Sequence, residues 1–378
     1  MKKSLRILVA HNVPRQRTGG MSRIMGFVHD QLVCVGHSVD YFCAEDLPPS
    51  LNGPLARFTF PAMVLRRAMA EARRGRPFDV VNVHEPSGAA ISILKRAAGA
   101  PRVVVTSHGV EKRGWELLLE ESRMERDHVR GRSRFIYPAT VLWQARLALA
   151  SSDHIFSLNL EDSEYLATTL RIPAGKITRI YPGADDVYAK LGEDRDYNRA
   201  RTLLFAGTWL KRKGIADLVP AFSTLAARYP ELLLVVLNGG VSESSMRACF
   251  PEEVRSRVLC RQADPELGTA EAMACADIYL LPSLFEGTPL TLMEAMFEGL
   301  PIVTTATCGM KDVIQHEKNG LLVPIRSPQE IVNAVERLLR DPALRARLGQ
   351  AARAEALQNY NWQKVTEPVR EVYERLCL

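Results

Sequence analysis

Two glutamates flank a predicted helix start in the segment 281–301. Glu286 and Gly287 lie in a loop that follows a short apolar strand pattern, and Thr288 and Pro289 form an N-cap and first-turn pair. A glycine in such a loop lets a ligand approach the backbone closely. The spacing therefore predicts a polar binding site where the strand ends and the helix begins.

The same helix start is a predicted anion site. The backbone amides of Leu290, Thr291 and Leu292 fall in the first turn, where amides lack intrahelical acceptors and the helix dipole favours negative charge. Because burying a carboxylate is costly, Glu286 is better explained by contacts to a polar ligand than by packing. Glu294 lies in the second turn, and for this residue local capping or a surface ion pair is the alternative interpretation.

Two further loops hold candidate residues. His108 stands between Ser107 and Gly109 after a strand pattern, which favours a functional side chain at a strand end, although a lone histidine is often structural. Gly19 and Gly20, in the first loop of the chain, would let that loop close over a ligand. An ordinary turn is the alternative for these glycines.

Alternating strand and helix patterns must position these loops. Short apolar runs predict strands at 6–10, 38–43, 80–83 and 103–106, and the pattern restarts at Leu203. Runs without polar alternation are typical of parallel strands buried on both faces. The predicted fold class is α/β, with two tandem Rossmann-like, doubly wound domains that face each other across a cleft. Ligands in such sheets bind at the carboxyl ends of the strands.

The polar stretch from Asp185 to Arg201 separates the two series and is the predicted linker and hinge. It places one domain at 1–190 and a second at 191–360, followed by a last helix at 361–378.

Length and composition exclude several classes of protein. The 378 residues are 47% hydrophobic and 24% charged, which excludes disordered and collagen-like chains and is enough for about two domains. Seven scattered cysteines without a Cys-x-x-Cys pair indicate reduced thiols and no metal site. No apolar run has the length of a membrane span or a signal-peptide core, which predicts a cytoplasmic protein. The common nucleotide-binding glycine fingerprints are absent from the sequence.

The net charge of +6 is unevenly distributed. Residues 1–190 hold 27 Lys and Arg against 19 Asp and Glu, whereas the remainder holds 22 against 24. A basic half suggests an anionic membrane surface or a phosphorylated substrate, and nucleic acid is the weakest candidate because no aromatic-rich basic cluster is present. For the basic stretch 112–134, a solvated helix face with paired charges is the alternative.

The motif at 283–296 resembles a known signature. Ser283, the pair Glu286–Gly287, Pro289 and Glu294 are similar to the motif of the retaining, family-4 type glycosyltransferases (glycosyl transferases group 1) of the GT-B fold. Six other segments resemble the family's motifs in the same order: 18–20, 107–109, 181–185, 205–214, 308–314 and 319–323. The resemblance spans nearly the whole chain.

The resemblance implies a hexosyltransferase that moves a sugar from a nucleotide-diphosphate sugar to a hydroxyl acceptor, with retention of anomeric configuration. It implies no metal or other cofactor, because amides and a lysine stabilise the leaving diphosphate, and it implies that this phosphate takes the acceptor proton. Residues 1–190 would form the acceptor side and 191–360 the donor domain, and the helix at 361–378 would cross back to the first domain.

The resemblance also assigns roles to single residues. Glu286 would contact the transferred sugar, Glu294 the ribose hydroxyls and Lys213 the diphosphate, and His108 would lie near the sugar or the acceptor. The implied donor-binding residues are Gly19, Gly20, Gly207, Thr208, Arg212, Gly287, Thr288, Leu290, Thr291, Leu292 and Glu294.

One position departs from the family pattern. The family pairs an arginine with the lysine of its phosphate loop, but Thr208 occupies the arginine position. One cation is missing unless Lys211, Arg212 or another basic side chain replaces it. A non-catalytic nucleotide-sugar-binding protein is therefore one alternative, and a GT-B-type epimerase or phosphorylase is another.

The expected partners follow from the same resemblance. They are a nucleotide-sugar donor and a glycan, lipid-linked or small-molecule acceptor, with peripheral contact on the inner face of an anionic membrane as a further prediction and no nucleic acid.

Overall fold

A computed structural model describes residues 4–15, 20–51, 56–263 and 269–378. The chain divides into two compact units, the first formed by Met1–Tyr181 with Trp362–Leu378 and the second by Pro182–Asn361. Each unit holds a six-stranded sheet in which every pair of hydrogen-bonded neighbouring strands is parallel. The predicted α/β class with two parallel-sheet units is confirmed.

The first sheet has the strand order β2-β1-β3-β4-β5-β6. Its strands are β1 (Arg6–Ala10), β2 (Ser38–Phe42), β3 (Val80–His84), β4 (Arg102–Ser107), β5 (His154–Ser157) and β6 (Ile177–Arg179). The helices between them are α1 (Gly20–Cys34), α2 (Ala56–Arg73), α3 (Ala89–Leu94), α4 (Glu111–Arg123), α5 (Ser133–Tyr137), α6 (Trp143–Ser151) and α7 (Leu160–Thr168). A π-helical turn, Pro138–Leu142, joins α5 to α6.

Both faces of this sheet are covered. Leu8 and Val81 contribute to one buried apolar cluster, whereas their neighbours Ile7 and Val80 contribute to a second cluster on the opposite face. Because successive side chains of a strand point to opposite faces, a strand between two helical layers needs apolar residues at every position. This is the reason for the continuous apolar runs in the sequence.

The second sheet has the order β12-β11-β10-β7-β8-β9. Its strands are β7 (Thr202–Ala206), β8 (Leu233–Leu237), β9 (Val258–Arg261), β10 (Ile278–Leu281), β11 (Ile302–Thr305) and β12 (Leu321–Val323). Its helices are α8 (Asp186–Leu191), α9 (Ile215–Arg228), α10 (Glu243–Arg247), α11 (Ala270–Ala274), α12 (Leu290–Phe297), α13 (Cys308–Val313), α14 (Pro328–Arg340) and α15 (Pro342–Asn359).

The stretch 185–201, predicted as a linker, is integrated into the second unit. Tyr188 on α8 is fully buried. Arg195 donates to both the carbonyl and the carboxylate of Glu298 and to two further backbone carbonyls. The linker prediction is wrong because these side chains have buried partners within the unit. The division of the chain falls after Tyr181, whereas the sequence placed it at 190.

The last helix, α16 (Trp362–Leu376), belongs to the first unit. Val369, Val372 and Tyr373 join the apolar cluster on one face of the first sheet. The Asn82 side-chain amide on β3 donates to the Tyr373 hydroxyl at 2.6 Å. None of the helices in the described ranges is both long and apolar enough to span a bilayer.

Replacement of Arg195 tests the integration of the former linker. Arg195→Ala removes the guanidinium that donates to the buried Glu298 carboxyl and to three backbone carbonyls, so we expect the free energy of unfolding to fall by about 3–5 kcal/mol. Arg199→Ala is the control, because that side chain is exposed and its one ion pair, to Asp277, is long at 3.9 Å. This substitution should lower the free energy of unfolding by less than about 1 kcal/mol. Urea unfolding measures both, and equal losses would contradict the assignment.

Candidate functional site

In the second unit, two loops meet at the carboxyl edge of the sheet. β7 and β10 are neighbouring parallel strands, so the loops that follow them, 207–214 and 282–289, leave the sheet side by side. The Leu284 amide donates to the Arg212 carbonyl at 2.8 Å and ties the loops together. Parallel topology therefore brings together two segments that are far apart in the sequence.

Gly214 fixes the approach of the two loops. Its φ is +75°, and a Cβ at this position would lie 1.8 Å from the carbonyl oxygen of Pro282. Any other residue would clash with backbone as well as adopt a disfavoured conformation. The contact places the short 3-10 turn Lys211–Lys213 directly against the loop that carries Glu286.

Glu286 is the centre of a buried charge cluster. Lys213 Nζ lies 2.5 Å from Glu286 Oε1, and Arg212 Nη1 lies 3.3 Å from Oε2. The Ser283 hydroxyl donates to Oε1 at 3.2 Å. Burial alone would raise the pKa of Glu286, but the two cations outweigh it and hold the pKa below its ordinary value. The carboxylate is therefore ionised and acts only as an acceptor.

This cluster changes the interpretation of Glu286. The sequence indicated a carboxylate beside helix-start amides that needs a polar ligand, whereas the structure supplies two basic partners from the neighbouring loop. Two cations against one carboxylate leave an excess positive charge at the strand edge. Such an edge suits an anionic ligand.

The start of α12 differs in detail from the prediction. The helix begins at Leu290, and Pro289 occupies the N-cap position without a side-chain hydrogen bond, so the assignment of Thr288 as the N-cap is wrong. The Leu292 amide donates to the Pro289 carbonyl at 3.1 Å, because the first turn is tight, and is not available to a ligand. Within the described ranges, the amides of Leu290 and Thr291 donate to no acceptor.

Glu294 is fully buried on α12. Its carboxylate accepts a hydrogen bond from the Thr269 hydroxyl at 2.6 Å, and that hydroxyl is also 3.0 Å from the hydroxyl of Tyr188. The alternative of a surface ion pair for Glu294 is wrong.

Gly207 and Thr208 are the other predicted donor-binding positions of the loop after β7. The Gly207 amide donates to the Leu237 carbonyl, and the Lys213 side chain passes 3.7 Å from the place of a Cβ on Gly207. Thr208 is exposed. Arg212, which is half-exposed, is the second cation beside Glu286.

The first unit carries a row of histidines at the equivalent edge. His11 follows β1, His84 ends β3 and His108 follows β4, which are consecutive strands of the sheet. His108 Nε2 lies 2.8 Å from His84 Nδ1, and the ring centres of His11 and His84 are 5.7 Å apart. Within the described ranges, no group of three or more His, Cys, Asp and Glu side chains is arranged to hold a metal ion.

Burial keeps this row neutral. It lowers the pKa of His108 to about 4, and the nearby His11 adds to the effect. Burial also lowers the pKa of His84 well below its ordinary value. At neutral pH, His108 is therefore an uncharged hydrogen-bonding group.

Sequence reasoning found His108 but missed His11 and His84. Each directly follows a predicted strand, but only the sheet order shows that these strands are neighbours of the strand before His108. Gly20 is the exposed first residue of α1, and Gly19 lies outside the described residues.

Comparison with known proteins gives the following matches. The family described as "Glycosyl transferases group 1" matches residues 192–355, and "Glycosyltransferase Family 4" matches residues 18–187. Phosphatidyl-myo-inositol mannosyltransferase of Mycolicibacterium smegmatis is 28% identical over 333 residues, which are 87% of this chain and 79% of that protein.

Solved structures share the fold. Sucrose-phosphate synthase from Thermosynechococcus elongatus has a TM-score of 0.76 at 21% identity, covering 98% of this chain and 99% of that chain. HepE of Anabaena, solved in complex with UDP-glucose, has a TM-score of 0.70 at 16% identity, covering 98% of this chain and 100% of that chain.

The low pKa of His108 predicts acid sensitivity. In the unfolded chain His108 takes up a proton near its ordinary pKa of 6.5, whereas in the folded chain its pKa is about 4. Between these values the unfolded state binds more protons, so the free energy of unfolding falls as the pH drops. His108→Gln removes this contribution and should lose less stability between pH 7 and 4.5 than the wild type. Urea unfolding at both pH values measures the difference. The control His128→Gln changes an exposed histidine and should follow the wild type; identical behaviour of the His108 variant would refute the burial effect.

Proposed function

As a member of the family of glycosyl transferases group 1, this chain is a nucleotide-sugar-dependent hexosyltransferase of the GT-B fold, and we propose that it transfers the sugar with retention of anomeric configuration and without a metal ion. The observation that carries the proposal is the 2.5 Å pair between Lys213 and Glu286 at the carboxyl edge of the second sheet.

The leaving diphosphate determines what the site must supply. Negative charge develops on the bridging oxygen and the β-phosphate as the sugar departs, and preorganised donors lower this barrier. Lys213 provides a compact point charge, and Arg212 provides planar donors that suit phosphate. Arg212 takes the place of the cation that Thr208 cannot supply. The amides of Leu290 and Thr291, at the positive end of the α12 dipole, are further donors to the diphosphate.

These groups make a metal unnecessary in the proposed reaction, since they neutralise the charge that Mg²⁺ balances in other phosphate-transfer sites. The bond between the anomeric carbon and the phosphate oxygen breaks, and the bond to the acceptor oxygen forms on the same face. The acceptor proton passes to the departing phosphate. No protein base is required, which agrees with the low pKa of His108, because such an imidazole is a weak proton acceptor.

Two carboxylates of the second unit bind the donor. Glu286 accepts from hydroxyls of the transferred sugar while it orients Lys213. Glu294 accepts from the ribose hydroxyls, as it accepts from Thr269 in the structure. His108, in the first unit, binds a substrate hydroxyl. The complex of the structural neighbour HepE with UDP-glucose supports a nucleoside-diphosphate sugar as donor.

The acceptor proposed is a lipid-linked or other polyol hydroxyl. The M. smegmatis relative is named as a phosphatidyl-myo-inositol mannosyltransferase, which supports an acceptor held at a lipid surface. The segment 130–146 of the first unit is the part of the protein that we propose contacts this lipid surface.

Segment 130–146 combines exposed apolar and basic side chains. Phe135, Ile136 and Trp143 are 80%, 55% and 60% exposed. The segment also contains four exposed arginines and no acidic residue: Arg130, Arg132, Arg134 and Arg146. Such aromatic and apolar side chains can insert at the headgroup boundary of a membrane, and the neighbouring arginines can bind its anionic lipids.

The adjacent basic residues behave differently. Lys112 pairs with Glu116, Arg113 with Glu161, and Arg126 with Glu121. The basic residues in the first part of 112–134 therefore have acidic partners, on α4 itself or on α7. The arginines of 130–146 form no ion pair within the described ranges.

Removing either member of the central pair tests the proposed donor site. We expect Glu286→Ala and Lys213→Ala to lower kcat by about 10²–10³-fold, the range for loss of a preorganised charge-stabilising group, while circular dichroism shows a folded protein. Product formation is measured by mass spectrometry with UDP-, GDP- and ADP-sugars and a panel of acceptors. Lys190→Ala, an exposed lysine of the same unit, is the charge-matched control and should stay within about twofold. Unchanged transfer in either site variant would refute the assignment.

The same assay separates the alternative classes. A transferase releases nucleotide only when an acceptor is present, whereas an epimerase converts the donor alone and a phosphorylase requires inorganic phosphate. A binding protein would give a thermal shift with the donor without consuming it.

Vesicle binding tests the membrane surface. We expect the protein to sediment with phosphatidylglycerol vesicles at low ionic strength but not with neutral vesicles. Arg132→Glu/Arg134→Glu should weaken binding by at least about tenfold, because each arginine near an anionic surface contributes about 1 kcal/mol. Arg96→Glu alters another exposed arginine of the first unit and is the control. A failure to sediment at low ionic strength would rule out the membrane contact.

A further inference from the structure

The contact between His84 and His108 contains a single shared hydrogen. His108 Nε2 and His84 Nδ1 are 2.8 Å apart, and the ring planes differ by only 26°. One ring nitrogen must donate and the other must accept. Burial lowers the pKa of both rings, so both are neutral and each carries one hydrogen.

The far side of His84 indicates which ring donates. His84 Nε2 is buried and has no hydrogen-bond partner in the described ranges. If His84 accepted at Nδ1, its only hydrogen would be on this buried Nε2 with no acceptor. Buried N–H groups without acceptors are rarer in proteins than buried acceptors without donors. The favoured arrangement therefore has the hydrogen of His84 on Nδ1.

The third histidine of the row cannot alter this assignment. His11 Nδ1 lies 3.2 Å from the Val13 carbonyl, which only accepts, so its hydrogen is on Nδ1. Its Nε2 lies 3.6 Å from the Cys43 sulfur and accepts from the thiol. His11 thus has no hydrogen to donate to His84.

We propose that His84 is a positioning residue that donates its Nδ1–H to Nε2 of His108 and so holds His108 in the tautomer with hydrogen on Nδ1. In this tautomer the partly accessible His108 presents an N–H donor, and it selects an acceptor atom, a hydroxyl or phosphate oxygen of the substrate. The inference rests on the proposed function only in placing substrate at His108, since the tautomer itself is a property of the free protein.

The tautomer can be read directly by NMR. Long-range ¹H–¹⁵N correlation on protein labelled at its eight histidines, with the His108 signals assigned from His108→Gln, reports which ring nitrogen carries hydrogen. We expect protonated Nδ1 for His108 at pH 7. Hydrogen on Nε2 of His108 would overturn the proposal whatever the activity.

A pair of substitutions separates positioning from packing. The side-chain amide of Asn reaches the place of Nδ1, whereas that of Gln reaches the place of Nε2. We expect His84→Gln to lower kcat/KM by roughly 10–100-fold, as when the supporting partner of a ligating histidine is removed. His84→Asn should recover most of this loss. Equal losses in both variants would overturn the proposal.

Two further variants test whether His84 acts through His108. His154→Asn replaces a buried histidine of the neighbouring strand β5 and should lower stability but leave kcat/KM within about twofold. Adding His84→Gln to His108→Gln should cause no further loss, because His84 acts through His108; an additive loss would overturn the proposal. If NMR shows Nδ1–H but His108→Gln transfers sugar normally, the tautomer proposal stands and the proposed role of His108 in substrate binding fails.

Discussion

The close contact between Gly214 and Pro282 sets the geometry of the second unit's polar edge. Because the turn after β7 has no Cβ at Gly214, it reaches the backbone of the loop after β10. A backbone hydrogen bond between Leu284 and Arg212 holds the same approach. The Lys213 side chain then lies against Glu286. A carboxylate buried to this degree would otherwise tend to be neutral, so the position of two loops determines the charge state of one residue.

The two units are both built on parallel sheets, but the carboxyl edges of these sheets differ in their electrostatic character. In both, neighbouring parallel strands finish at one edge and present their next residues side by side. The second unit gathers ionised side chains around Glu286, which suits the charge of a diphosphate. The first unit gathers neutral rings around His84, which suits the directional hydrogen bonding of hydroxyls. The basic excess of the first half of the sequence is located elsewhere, on the surface of 130–146 and around Glu71, which Arg6, Arg74 and Arg76 surround.

The strands and their parallel arrangement could be predicted because burial on both faces leaves an uninterrupted apolar run. β5 was missed, since His154 and Ser157 interrupt that pattern and are buried through hydrogen bonds of their own. The segment 185–201 was misjudged for a related reason: charge in a sequence suggests solvent, but Arg195 is satisfied internally by Glu298.

The site was only partly predictable. The family motif identified Glu286 and Lys213, but no local pattern reveals that they contact each other across 73 residues of sequence; the sheet order supplies that contact. His84 carries no spacing signal relative to His108 and becomes informative only when β3 and β4 are known to be adjacent.

The return of α16 to the first unit has a consequence for synthesis of the protein. The hydrogen bond between Asn82 and Tyr373 joins residues 291 positions apart. As the chain leaves the ribosome, the second unit can fold while the first still exposes the apolar surface that Val369, Val372 and Tyr373 will cover. The amino-terminal unit is therefore the last to be completed, and until then it is the part of the nascent chain most open to chaperones and to aggregation.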